Sequence, residues 1–242
     1  MMNRMGGLRR GQATAVVRSS VAVLACVVFA AASSPVKVRQ NASHSPTVVV
    51  VGDSITHLAA GSINAAISPH YHDFLVYRDG MRIDEMLPSL SLSLAEHAPV
   101  SAVVENLGTN DVIQGGRDAD WRANWQRMLS ITAKVPCVVL TTINLAADFY
   151  GKRPIAPAIN REIKDLAKSD PRRYKVVDWW GFLVEAYKNQ RADFFDYLQQ
   201  ELIHERPPGA RWLAEEDRSA LSDCGSSAEP SIIPPSERLL AS

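Results

Sequence analysis

The 242-residue chain has little of what marks a specialised polymer or membrane protein. Glycine (13) and proline (14) are too few, and apolar residues at 46% too many, for a collagen or a disordered tail protein. Only one long uncharged apolar stretch occurs, which excludes a multi-span membrane protein. Charge of one sign is also missing, since 26 Lys and Arg balance 26 Asp and Glu. A phosphate-backbone partner needs concentrated Lys and Arg, so nucleic acid is not expected, and acidic polymers are poor candidate substrates. The length allows one domain, or at most two small ones.

The local absence of acids is more telling. The first 32 residues carry Arg4, Arg9, Arg10 and Arg18 and no Asp or Glu, which leaves 22 basic against 26 acidic residues beyond them. Residues 21–32 (VAVLACVVFAAA) then form an apolar run ending in small side chains. Basic start, apolar centre and small-residue end are the pattern of a secretory signal peptide. Twelve helical residues span ~18 Å, short of a ~30 Å hydrocarbon core, so cleavage is favoured, with an uncleaved anchor as the alternative. The expected location is outside the cell or in its envelope. Residues 33–46 read as a linker, 47–222 as the domain, and 223–242, rich in Ser and Pro without periodicity, as a flexible tail.

Three cysteines are present. Cys26 leaves with the leader, and Cys137 and Cys224 remain as a pair that an oxidising compartment would allow to bond. The favoured reading keeps them apart, with Cys137 a buried thiol opening the apolar run CVVLTTI and Cys224 at the edge of the tail.

Short β-branched runs at 47–51, 73–77, 101–107, 137–143 and 174–178 predict strands buried on both faces. Helical spacing fills 55–67, 82–96, 118–134 and 157–168, and a last helix is expected from about Pro208 to Leu221. This alternation predicts an α/β fold with a mostly parallel sheet covered on both faces. Ligands in such sheets bind beyond the carboxyl ends of the strands, where the strand order reverses. The loops after the first and third strands are Gly52-Asp53-Ser54-Ile55-Thr56 and Gly108-Thr109-Asn110-Asp111, both short, Gly-led and polar.

Ser54 opens a helix directly after a buried strand, a position that suits either a nucleophile or an ordinary N-cap. Asn110 can donate an amide to an oxyanion or hold a turn, and Asp111 is expected to cap the segment that follows it. Of six histidines, His204 stands out because it lies in the loop leading to the last helix, three residues after Glu201, a carboxylate able to orient an imidazole. His70-x-His72 has the spacing of a metal pair on a strand but no third ligand nearby, so no metal is expected. Trp179-Trp180 and the aromatic stretch Asp193 to Leu198 line either a pocket or the core.

At these residues the chain resembles the SGNH (GDSL-type) hydrolases. Gly52-Asp53-Ser54-Ile55 is similar to the family's nucleophile block, Gly80 after Arg78-Asp79 to its glycine block, Gly108-Thr109-Asn110-Asp111 to its asparagine block, and His204 with Gly209 to its histidine block. The resemblance covers residues 47–222. It implies a three-layer α/β/α sandwich with a flavodoxin-like five-stranded parallel sheet, Ser54 as nucleophile and His204 as base. It also implies an oxyanion hole from the Ser54 N–H, the Gly80 N–H and the Asn110 amide, and acyl transfer without metal or organic cofactor. Two departures stand out: Ile55 replaces the usual Leu, and Glu201 stands where the family has Asp. The alternatives to Glu201 as the acid are Asp196 or a dyad in which a backbone carbonyl holds His204. The favoured activity is hydrolysis of short acyl or acetyl esters, including those of acetylated carbohydrate. An O-acyltransferase of envelope carbohydrate and a non-catalytic carbohydrate-binding relative are the competing readings. Oligomeric state is not legible.

Overall fold

A computed structural model describes residues 45–114, 118–151, 154–189 and 195–226. The expected leader and the linker up to residue 44 lie outside the described residues, as does the tail beyond Ser226. The elements in chain order are β1 (Thr47–Gly52), α1 (Ser54–Ile67), β2 (His72–Tyr77), α2 (Ile83–Glu96), β3 (Ala102–Asn106), α3 (Thr109–Ile113) and α4 (Asp118–Ile131). They continue with β4 (Cys137–Thr141), α5 (Ala147–Gly151), α6 (Ala156–Ser169), β5 (Tyr174–Val177), α7 (Trp179–Asn189) and α8 (Pro207–Ser226). The five strands are parallel in the order β2-β1-β3-β4-β5.

The expected sandwich is present, and the period-2 alternation of the strands explains why it has two cores. Val49, Val51, Val103 and Val138 face one side, where Met86, Leu90, Trp125, Met128, Ile159 and Ile163 cover them. Val48, Val50, Val104 and Val139 face the other, against Ile55, Ala59 and Ile63 of α1 and Leu213 and Leu221 of α8. Such β-branched runs read as continuous apolar sequence because both faces are covered. The chain leaves β1 towards β2 on one side and returns to β3 on the other. The carboxyl ends of β1 and β3 therefore flank the switch point, with Ser54 and Asn110 just beyond them.

Two expectations are corrected. The last helix runs to Ser226 rather than stopping near Leu221, so the first residues assigned to the tail are helical. Cys224 is therefore held against the sheet face that carries Cys137, and the two form a disulfide with Cα atoms 5.9 Å apart. The chain divides into two compact units at Ala42, and all the described residues belong to the second.

Candidate active site

The first turn of α1 is capped by Asp53, not by Ser54: the Asp53 Oδ1 accepts the Ile55 N–H at 3.0 Å. That frees the Ser54 hydroxyl, which donates to Nε2 of His204 at 2.9 Å. On the far side of the ring, Nδ1 lies 2.9 Å from Glu201 Oε1. A proton on Nδ1 bonded to the carboxylate leaves Nε2 as the acceptor facing the hydroxyl. Partial burial works against the Glu201 charge. Hydrogen bonds from its own backbone and from the ring and backbone N–H of His204, together with electrostatic attraction to that ring, still hold its carboxyl below the usual range. Glu201 thus reaches the imidazole despite its extra methylene. Asp196 is exposed and makes no hydrogen bond to His204.

The loop that carries this pair is held at several points. Leu198 and Glu205 form an antiparallel bridge, and the Gln199 N–H donates to the His204 carbonyl at 2.8 Å. Leu202 has φ +64°, a left-handed conformation that a branched side chain adopts at a cost of ~1–3 kcal/mol. The buried Asn144 amide donates to the Leu202 carbonyl at 2.6 Å, and the Tyr150 hydroxyl to the Glu201 carbonyl at 2.7 Å. Neither Asn144 nor Tyr150 stood out in the sequence, where they sit in the unpatterned stretch after β4.

Asn110 is buried, and its Nδ2 donates to Asp53 Oδ2 at 2.8 Å. Asp53 thus ties the loop after β1 to the loop after β3. One of the two Asn110 amide protons remains for another acceptor. Burial pushes the Asp53 carboxyl up to about 7, against the lowering effects of the Ile55 and Asn110 hydrogen bonds and of His204. Asp111 is structural as expected but caps a different segment from the one that follows it: its Oδ2 accepts the Ile83 N–H at 3.0 Å, at the start of α2. The reason is spatial, since strand order brings the loop after β3 across the start of α2.

Gly80 has φ +71°, which favours glycine, and its carbonyl accepts the Gln114 Nε2–H at 2.6 Å. The neighbouring Asp79 carboxylate lies 2.8 Å from His57 Nδ1, and His57 stacks on Tyr77. The loop proposed to carry an oxyanion donor is therefore pinned from two sides.

The other sequence candidates fall elsewhere. His70 and His72 lie at the start of β2, at the opposite end of the strands from Ser54. Among the described residues no group of three His, Cys, Asp or Glu is arranged to hold a metal ion. Trp179 is core rather than pocket: it is 1% exposed and packs on Phe182 and Trp212. Of the aromatic stretch, residues 193 and 194 lie outside the described residues, Tyr197 packs edge-on against Phe182, and Phe195 is half-exposed.

The fold resembles that of a lipolytic G-D-S-L family protein from Veillonella parvula (TM-score 0.59, 18% identity, 73% of this chain and 98% of that one). It also resembles the C-terminal catalytic domain of peptidoglycan O-acetyltransferase A from Streptococcus pneumoniae (0.58, 15%, 75% and 96%). A third likeness is to a variant of an acetyl-xylooligosaccharide esterase from Geobacillus stearothermophilus (0.57, 16%, 73% and 94%). At these identities the likeness is one of fold. By sequence, no curated protein matches the chain. The sequence model of the GDSL-like lipase/acylhydrolase family, however, matches residues 50–212, from within β1 through the histidine loop into α8. On that match, with the five-stranded parallel sheet beneath it, the chain belongs to the GDSL-like lipase/acylhydrolase family of ester hydrolases.

Proposed function

We propose that the protein is an exported serine esterase that hydrolyses short acyl or acetyl esters through a Ser54–His204–Glu201 relay. The observation that carries this reading is the unbroken pair of 2.9 Å contacts from Ser54 Oγ through the His204 ring to Glu201.

In the first half-reaction, Nε2 of His204 takes the Ser54 proton while Oγ bonds to the ester carbonyl carbon, and the carbonyl oxygen becomes an oxyanion. Three donors are assigned to it. The Ser54 N–H lies in the first turn of α1, where backbone N–H groups have no helical partner. The second Asn110 amide proton and the Gly80 N–H complete the set. The carbon–oxygen bond to the alcohol then breaks, and the proton on Nε2 passes to the departing oxygen. Water repeats the sequence against the acyl-enzyme, giving its proton to Nε2, and the Ser54 oxygen leaves with that proton. Every step is acid–base and nucleophilic chemistry of this chain's own side chains.

Export is supported by the leader-like first 32 residues and by the Cys137–Cys224 disulfide, a bond that persists in oxidising compartments. A short acyl group is supported by the lack of any long apolar insertion beside the site.

The test is to treat the purified 33–242 fragment with a fluorophosphonate ester and to measure hydrolysis of p-nitrophenyl acetate. The wild type is expected to be labelled and to turn over, and Ser54→Ala to do neither. A folded wild type that is not labelled overturns the reading, and acyl transfer to an added sugar or alcohol in preference to water would make the protein a transferase.

A further inference from the structure

The turn that carries Gly80 holds an acid where an oxyanion site can least use one. The turn runs from Arg78 to Met81: the Arg78 N–H donates to the Gly52 carbonyl at 3.3 Å, and the Met81 N–H closes back on the Arg78 carbonyl at 3.4 Å. Gly80 occupies the third position with φ +71°, the position and sign of φ that a type II turn gives to glycine. Among the described residues nothing accepts the Gly80 N–H, as suits a donor kept for a ligand. The residue immediately before it is Asp79, whose side chain is 62% exposed.

A carboxylate at that position works against the donor in two ways. Aspartate side chains readily accept neighbouring backbone N–H groups, so a free Asp79 would compete for the N–H of Gly80 and for that of Met81, which is held only by the long turn bond. Its charge would also oppose the negative charge that develops on the substrate oxygen.

His57 answers both. It lies three residues after Ser54 on α1, and its backbone N–H donates to the Asp53 carbonyl at 3.0 Å, so it is placed by the same turn of helix as the nucleophile. Tyr77, the last residue of β2, stacks on its ring with centroids 4.9 Å apart and planes inclined by 15°. In this orientation Nδ1 meets Asp79 Oδ1 at 2.8 Å, and because a carboxylate only accepts, the ring proton lies on Nδ1. Arg82, three residues beyond Asp79, is engaged by Asp84 and Glu85 instead. The His57 side chain is itself 50% exposed, and so open a pair adds little to stability, which leaves a stabilising role unable to account for it.

We propose that His57 is a positioning residue: it holds the Asp79 carboxylate off the Gly80 N–H, so that this donor stays open to the oxyanion. The proposal rests on the esterase reading above, with Gly80 as an oxyanion donor, and extends it to a residue outside the relay. The oxyanion develops only on the way to the tetrahedral intermediate, so loss of the restraint acts on kcat and leaves KM little changed.

The experiment is a double-mutant cycle on p-nitrophenyl acetate hydrolysis with His57→Ala, Asp79→Ala and the two combined, each checked for folding by its thermal transition. His57→Ala is expected to lower kcat by roughly 10-fold to 100-fold, less than the loss of a whole oxyanion donor. The double variant is expected to recover most of that loss, because without the carboxylate nothing is left for His57 to restrain. An unchanged kcat in His57→Ala overturns the proposal. So does a loss that persists in the double variant, which would make the His57–Asp79 contact a simple tether of the turn. Either result in a wild-type background that is labelled by fluorophosphonate and turns over the ester leaves the esterase reading standing. A wild type neither labelled nor active overturns that reading and this proposal with it.

Discussion

At the scale of the residue, the decisive contacts are few. Asn110 spends one amide proton on Asp53 and keeps one for the assigned oxyanion, so Asn110→Ala is expected to lower kcat by ~10²–10³ with a smaller change in KM. An unchanged kcat would reduce Asn110 to a tether between two loops. Glu201 fixes the ring proton on Nδ1, and Glu201→Gln should lower kcat by about 10³–10⁴ through loss of the correct tautomer. Activity near wild type in that variant would show that the ring is oriented by other groups. The sequence made Ser54 and Asn110 visible as polar residues in short Gly-led loops after strands, and His204 as a histidine three residues after a carboxylate in the loop leading to the last helix. It left Glu201 against Asp196 open, because which carboxylate meets Nδ1 depends on the path of the loop. Asp53 was visible only as part of a motif, and its bridging of two loops required both to be placed.

At the scale of the element, two devices hold the site. The end of β1 and the start of α1 turn sharply enough that Asp53 caps the helix and Ser54 projects from it. The histidine loop is shaped by contacts from elsewhere, above all the Asn144 amide on the carbonyl of the left-handed Leu202. Asn144→Ala removes that support, and the loop is expected to relax towards an unstrained backbone. Turnover should then fall by roughly 10-fold to 100-fold through misplacement of His204, with slower fluorophosphonate labelling and little change in thermal stability. If stability falls while the rate per folded molecule holds, Asn144 is a core residue with no part in positioning. The main strands and helices were legible in the sequence because burial on both sheet faces leaves β-branched runs, and amphipathic helices leave period-3.6 patterns. The short helices α3 and α5 and the apolar α7 were not. Two of them have five residues each, too few for a period, and α7 opens with the apolar run Trp179–Val184, its charged residues Glu185 and Lys188 falling only in the second half.

At the scale of the whole molecule, the disulfide and the buried acids set the response to conditions. The bond closes an 87-residue separation between β4 and α8, a constraint worth about 4.6 kcal/mol in the chain-entropy account. Cys224→Ser, or reduction of the wild type, is expected to lower Tm by roughly 10 °C, and an identical Tm under oxidising and reducing conditions would show that the bond does not form. Burial raises Asp111 to about 6, Asp53 to about 7, Glu205 and Asp217 to about 8, and Glu105 well above its usual range. Each is protonated in the fold at a pH where the unfolded chain has lost that proton, so the native state binds more protons and stability falls as pH rises from about 4 to 8. The urea midpoint should accordingly be higher at pH 5 than at pH 8, and Asp217→Asn should narrow the gap. A midpoint that rises with pH would mean that these carboxyls are ionised in the folded protein. By itself the sequence determined the alternating fold and the switch-point location of the site, because these follow from local patterning, and it made Ser54, His204 and Asn110 candidates whose roles as nucleophile, base and oxyanion donor are what the family resemblance implies. Only the tertiary structure decided that Glu201 is the partner of His204, that Cys137 meets Cys224, that Asp111 caps α2 and that Trp179 belongs to the core. Each of those depends on segments distant in the chain, or on a loop path, that no local pattern encodes.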